Sequence, residues 1–217
     1  VLCARLRRVI DSALVAGCRV GGARAAMVIH GHIGSSPERE FGDGGFDGVD
    51  RVLVWGEHQR QTVLGKRYAP ADHASVVVVG NPDWDGLVTD ESERAAAKAM
   101  LASRLGLDPA RRCLLFCSQP QSEFHARVMI EASAGLANTE VLIKVHPSED
   151  AGLYRRMASG SGVVVIAHGE TPLQQVLRAA DAAVMFSSTT NIEAMLLGTP
   201  VITLATEGVA GMDRLLK

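Results

Sequence analysis

Short apolar runs alternate with longer stretches of mixed polarity along most of the chain. The runs Ala26–His30, Arg51–Trp55, Ser75–Val79, Cys113–Cys117, Glu140–His146, Gly162–Ala167, Ala182–Phe186 and Pro200–Leu204 are apolar nearly throughout. A strand covered on one face alternates apolar and polar residues, whereas a strand buried on both faces does not. The pattern therefore predicts strands of a parallel sheet. Three helices are predicted among them. Asp90 and Glu93 form a capping-box start, Ala97, Met100, Leu101 and Leu105 follow at helical spacing, and Gly106 is the stop. Thr171-Pro-Leu-Gln174 reads as a cap, a first-turn proline and a glutamine three after the cap, with Leu173, Val176, Leu177 and Ala180 on one face. The third runs from about Asn191 to Leu197 and stops at Gly198. Such alternation implies right-handed βαβ units and a doubly wound, Rossmann-like α/β sheet.

Two stretches break the pattern. Residues 31–50, which include Phe41-Gly-Asp-Gly-Gly-Phe-Asp-Gly-Val-Asp50, are Gly-rich and without periodicity, as functional or mobile loops often are. Gly80-Asn-Pro-Asp-Trp-Asp-Gly86 carries strong turn signals just before a new helix. A domain boundary is expected there, with 1–86 as the end of one α/β domain and 87–217 as most of a second. The chain opens on Val1 and closes on Lys217 shortly after an apolar run, so it reads as a fragment of a longer protein.

Composition narrows the class. The 217 residues are 47% apolar, enough for a core that needs no disulfide or structural metal. Twenty-two Lys and Arg balance 24 Asp and Glu, which argues against a nucleic-acid footprint. No apolar stretch approaches a membrane span. Cys3, Cys18, Cys113 and Cys117 form no C-x-x-C pair, so zinc is not expected, and Cys113 and Cys117 read as small core residues of a reduced, cytoplasmic protein.

Ligands of an open parallel sheet bind beyond the carboxyl ends of its strands. The residues there are His30-Gly-His32, Ser118-Gln-Pro-Gln121, His146-Pro-Ser-Glu149 and Ser187-Ser-Thr-Thr190. Small hydroxyl residues at a strand-to-helix turn make an anion site for phosphate or diphosphate, but Ser and Thr are also ordinary caps. Glu193 either stabilises its own helix start or accepts sugar hydroxyls. His146 is either a strand-end residue bonded to a neighbouring loop or a phosphate ligand and proton donor. Its pairing with the hydroxyl edge favours the second. His30 or His32 is a candidate base for an acceptor hydroxyl; one-residue spacing makes them a weak metal pair. His58, His73, His125 and His168 are expected to face solvent, and Trp55 and Trp84 to pack in the core.

With those edges in place, the chain resembles GT-B glycosyltransferases. The likeness is to the branch of CDP-glycerol glycerophosphotransferases, capsule Kdo transferases and bacterial polysialyltransferases. Lys144-Val-His-Pro-Ser-Glu149 is similar to that branch's His-Pro motif, and Ala180-Asp-Ala-Ala-Val-Met-Phe-Ser-Ser-Thr-Thr190 to its Ser-Ser motif. Glu193-Ala-Met-Leu-Leu-Gly-Thr-Pro-Val-Ile202, Trp55-Gly-Glu57, Gly80-Asn-Pro82 and His30-Gly31 resemble further GT-B segments. The resemblance implies a nucleotide-activated donor, such as a CDP-, CMP- or UDP-linked sugar or polyol, as substrate, with no cofactor or bound metal. It implies a polysaccharide or polyol-phosphate acceptor and, for the whole protein, a place at the inner face of the membrane. Ser187, Ser188, Thr189 and Thr190 would hold donor phosphate and Glu193 the ribose, while His146 and His30 would be catalytic. The same fold hosts UDP-N-acetylglucosamine 2-epimerases, but their His-Arg-Arg-Glu-like motif is replaced here by Ser118-Gln-Pro-Gln121. A non-catalytic nucleotide-sugar-binding domain is a third reading.

Overall fold

The short strands nearest the amino terminus pair side by side. The computed structural model describes residues 2–3, 9–29, 46, 48–65, 75–186 and 188–204. Strands β1 (Leu2–Cys3), β2 (Ala26–Val28), β3 (Arg51–Val54) and β4 (Val76–Val78) form a parallel sheet in that order, with helices α1 (Val9–Val20) and α2 (Glu57–Leu64) between them. Met27, Ile29, Val52, Val54 and Val76 pack with Val63 of α2 and with Phe46. A second small cluster joins Val15 and Cys18 of α1 to Ala25. Asp50, at the end of the Gly-rich stretch, accepts the Ala25 N–H at 2.7 Å and ties that stretch to the start of β2. Most of residues 31–50, with His30 and His32, lie outside the described residues.

The chain divides into two compact units that part between Asp83 and Trp84, within a 3-10 turn over Pro82–Trp84. Gly80 and Gly86 flank that turn at φ 79° and 80°, a region that glycine enters without strain.

The second unit is built on five parallel strands, β5 (Arg112–Cys117), β6 (Thr139–Lys144), β7 (Val164–Ile166), β8 (Ala182–Met185) and β9 (Val201–Thr203). Their order is β7-β6-β5-β8-β9, so the chain leaves β5 first in one direction and then in the other. Alternate residues feed two cores. Leu115, Leu142, Ile166 and Met185 pack with helices α3 (Glu91–Leu105), α6 (Leu173–Ala179) and α7 (Thr189–Leu196) through Leu101, Val176, Leu177 and Ala194. Phe116, Ile143, Val165 and Val184 pack with α4 (Glu123–Ser133) and α5 (Ala151–Met157) through Ala126, Met129 and Tyr154. Burial on both faces is what the continuous apolar runs encode. Cys113 and Cys117 are free and buried in this sheet; burial pushes both thiols up to about 12, so neither is a nucleophile at neutral pH.

The expected start of α3 forms as read: the Asp90 carboxylate accepts the Glu93 N–H, and Glu93 reaches back to the Asp90 N–H. Gly106 closes the helix at φ 69°. A Cβ at Gly106 meets no atom within 4 Å, so Gly106→Ala is expected to cost only its backbone strain. That is about 1–2 kcal/mol, to be read from urea unfolding. Three expectations are corrected. Met100 is 54% exposed, because the buried stripe of α3 runs through Ala97, Leu101 and Ala102 instead. Thr171 does not cap α6: Pro172 takes the cap position without a side-chain bond, and the buried Thr171 hydroxyl has no partner. His125 does not face solvent but packs edge-to-face between Phe124 and Phe186, with ring centroids 5.3 and 4.4 Å away. Trp84 packs against the core of the second unit, as expected.

Candidate functional site

The strand order of the second sheet reverses at β5, so the loops after β5 and β8 diverge and leave a crevice at their carboxyl ends. A cleft of about 310 Å³ lies at this edge, lined by Ser118 after β5, Lys144 and His146 at the end of β6, His168 and Thr171 after β7, and Thr190 after β8. Val145, Pro147, Pro172 and Leu173 supply apolar walls. Its size suits a small ligand held by a few convergent polar groups.

The β8–α7 turn presents the start of a helix to this edge. Ser188 is the cap: its Oγ accepts the Thr190 N–H at 3.2 Å and donates to Thr190 Oγ1 at the same distance. Asn191 braces the turn by donating from Nδ2 to the Phe186 carbonyl at 2.7 Å. Other first-turn N–H groups of a helix have no partner within it, and the helix dipole adds positive potential there.

His146 is half-buried and tightly placed. Its backbone N–H donates to Ser118 Oγ at 2.9 Å. Its ring Nδ1 accepts the Ser148 N–H at 3.2 Å and lies 2.8 Å from Ser148 Oγ. A nitrogen that accepts carries no hydrogen, so the neutral ring holds its proton on Nε2. The ring is thus a hydrogen-bond donor through Nε2.

Lys144 is 7% exposed and donates from Nζ to the Ala167 carbonyl at 2.7 Å. Burial pulls its pKa down, against the opposing pull of Glu170. The loop it touches is braced by its own bonds. Glu170 accepts the Ala167 N–H at 2.7 Å and is paired with Arg155, and Gly169 turns at φ 84°. The Ala167 bond, then Arg155, hold the Glu170 carboxyl below its usual range.

Of the candidate residues, the structure brings His146 and Thr190 into one cleft. Ser188 lies next to it as the helix cap, Thr189 opens α7, and Glu193 sits one turn further on, half-buried and outside the lining. Ser187 and His30 lie outside the described residues. Ser118, expected at a strand end but given no role, also lines the cleft, as do Lys144, His168 and Thr171. Lys144 carried a usable signal, a charge ending the apolar run Val141-Leu-Ile143. Among the described residues, no three His, Cys, Asp or Glu side chains gather to hold a metal ion. No helix among them is long and apolar enough to cross a membrane.

Solved structures share this architecture. The Anabaena protein HepE, solved with UDP-glucose, superposes with TM-score 0.59 at 16% identity, covering 95% of this chain and 59% of that one. A Rickettsia africae glycosyltransferase gives 0.57 at 14%, covering 93% and 57%. The wall teichoic acid polymerase TagF, soaked with CDPG, gives 0.58 at 11%, covering 89% and 50%. The fold is that of the GT-B glycosyltransferases. By sequence, the chain is 29% identical over 182 residues to a D-inositol 3-phosphate glycosyltransferase of Mycolicibacterium gilvum. It is 30% identical over 187 residues to the Mycolicibacterium vanbaalenii protein of the same name. These alignments cover 75% of this chain, which spans only 38% and 40% of the two curated relatives. No family model matches the chain.

Proposed function

We propose that the chain carries the donor-binding part of a GT-B glycosyltransferase that moves a sugar from a nucleotide-activated donor to a hydroxyl acceptor. The convergence of His146, Ser118, Lys144, Thr190 and the α7 start in one cleft at the switch point carries this reading. The names of the sequence relatives support it, as does the UDP-glucose held by a protein of the same fold. In this reading Thr190 and the first turn of α7 hold donor phosphate, and Glu193 reaches the ribose. The acceptor oxygen attacks the anomeric carbon, its proton passes to a base for which His30 is our candidate, and the sugar–phosphate bond breaks. His146 donates through Nε2 to the departing phosphate oxygen. We place the acceptor among surface polysaccharides and polyol phosphates and the protein in the cytoplasm, at the inner face of the membrane.

A thermal-shift series of CMP, CDP, UDP and GDP against the chain tests the donor site. A nucleotide at 100-fold its Kd is expected to add about 2.7 kcal/mol of stability. A melt of this chain unmoved by every nucleotide would overturn the reading. Because helix dipole and imidazole offset leaving-group charge here, transfer is expected to persist in EDTA; its loss, restored by magnesium, would assign that work to an ion. Transfer of a polyol phosphate is a second reading, favoured by the TagF fold. It predicts turnover with CDP-glycerol and none with UDP-sugars.

A further inference from the structure

The geometry points to Tyr154 and Glu149 as positioning residues for His146, acting through Ser118; the inference rests on the proposed role of His146. The β5–β6 ladder runs from Arg112↔Thr139 to Cys117↔Lys144 and ends there, at the mouth of the cleft. Beyond it, side chains take over. Ser118 N–H still donates to the Lys144 carbonyl at 3.0 Å. Ser118 Oγ then accepts the His146 N–H and donates its own hydrogen to Glu149 Oε2. Glu149 Oε1 accepts from the Tyr154 hydroxyl at 2.7 Å, and the Glu149 N–H donates to the His146 carbonyl at 3.0 Å. Ser122 Oγ lies 3.2 Å from the Tyr154 oxygen and itself accepts the Gln119 N–H.

The loop 146–149 is therefore clamped at both ends by one carboxylate. Tyr154 is 0% exposed, set among Phe116, Ile143 and Val145. Burial, foremost, pushes its hydroxyl up to about 12, so at neutral pH it stays protonated as the donor that Glu149 needs. Its hydroxyl is directed at the carboxylate that fixes the loop. The consequence reaches the imidazole, because Ser148 can donate to Nδ1 only while the loop keeps this turn. Tyr154 and Glu149 thus hold the tautomer that presents Nε2–H to the cleft, without touching substrate themselves.

Tyr154→Phe removes one hydroxyl and keeps the ring. In the 217-residue chain, exchange of the His146 amide should quicken about tenfold as the clamp loosens. Long-range proton–nitrogen NMR should show His146 changing from the Nε2–H tautomer to a mixture, with the chain still folded by circular dichroism. In the intact protein, kcat should fall about tenfold with KM unchanged, since small misplacement of a reacting group is costly. Glu149→Gln, which cannot accept from both hydroxyls, should move all readouts the same way and serves if the phenylalanine variant does not fold. Unchanged tautomer and exchange, or a changed tautomer at full turnover, would overturn the inference. A changed tautomer in a protein that transfers no donor, even unmutated, would leave the clamp standing and overturn the proposed function instead.

Discussion

His146→Asn is expected to lower turnover by about 10²–10³-fold in the intact protein while leaving nucleotide affinity within a few-fold, the loss typical of a removed donor to developing charge. Asparagine is the discriminating replacement. Its Oδ1 can take the place of Nδ1 and accept the Ser148 N–H, so the turn that the imidazole closes is retained. The backbone bond to Ser118 Oγ does not involve the side chain and is retained as well. What asparagine cannot supply is an N–H donor at the Nε2 position. His146→Ala should lose as much turnover and, in addition, loosen the loop. Near-normal turnover of the asparagine variant, measured by product formation under saturating donor and acceptor, would return His146 to a structural role. Loss of nucleotide affinity equal to the loss of turnover would make it a binding residue only.

How much of this was legible beforehand differs from element to element. Apolar runs of the second sheet announced their strands because both faces are covered, so Cys113–Cys117 of β5 and Val141-Leu-Ile143 of β6 are apolar without a break. Asp90, Glu93, Gly106 and Gly198 marked helix ends because capping is local chemistry. β1 has two residues, too few for any period to show. α4 carries Phe124 at 69% and Val128 at 47% exposure, so its apolar residues do not fall on one face. The polar α2 buries little beyond Gln59 and Val63.

Site residues follow the same division. The His-Pro and Ser-Ser edges were visible because each lies directly after a strand. The clamp was not, because Ser118 and Glu149 are 31 positions apart and meet only when β5 and β6 pair. Thr171 misled for a related reason. Cap, proline and glutamine stood at the right spacing, but the helix starts after Pro172 and the threonine turns into the cleft wall. Local spacing cannot tell a hydroxyl that serves its own helix from one drawn into a shared cavity.

Ser188→Asp should weaken nucleotide binding by about 10²-fold while sparing the fold. Aspartate is a good cap, so it can accept the Thr190 N–H as the serine does now, and a negative charge is favourable at the start of α7. Its effect therefore falls on the ligand. Two like charges about 4 Å apart repel by roughly 4 kcal/mol at an effective dielectric constant of ~20. Partial exposure of residue 188 and counter-ions reduce this to the ~2.7 kcal/mol that a 10²-fold loss represents. The deficit should shrink as salt is raised, since screening weakens a charge–charge term but not a lost hydrogen bond. Isothermal titration with the tightest nucleotide from the thermal-shift series, at low and high ionic strength, reads both quantities. A folded variant whose affinity matches the parent at every salt concentration would show that Ser188 and its neighbours are a helix cap and nothing more. A loss that does not respond to salt would point to steric exclusion, and the phosphate would then lie elsewhere in the cleft.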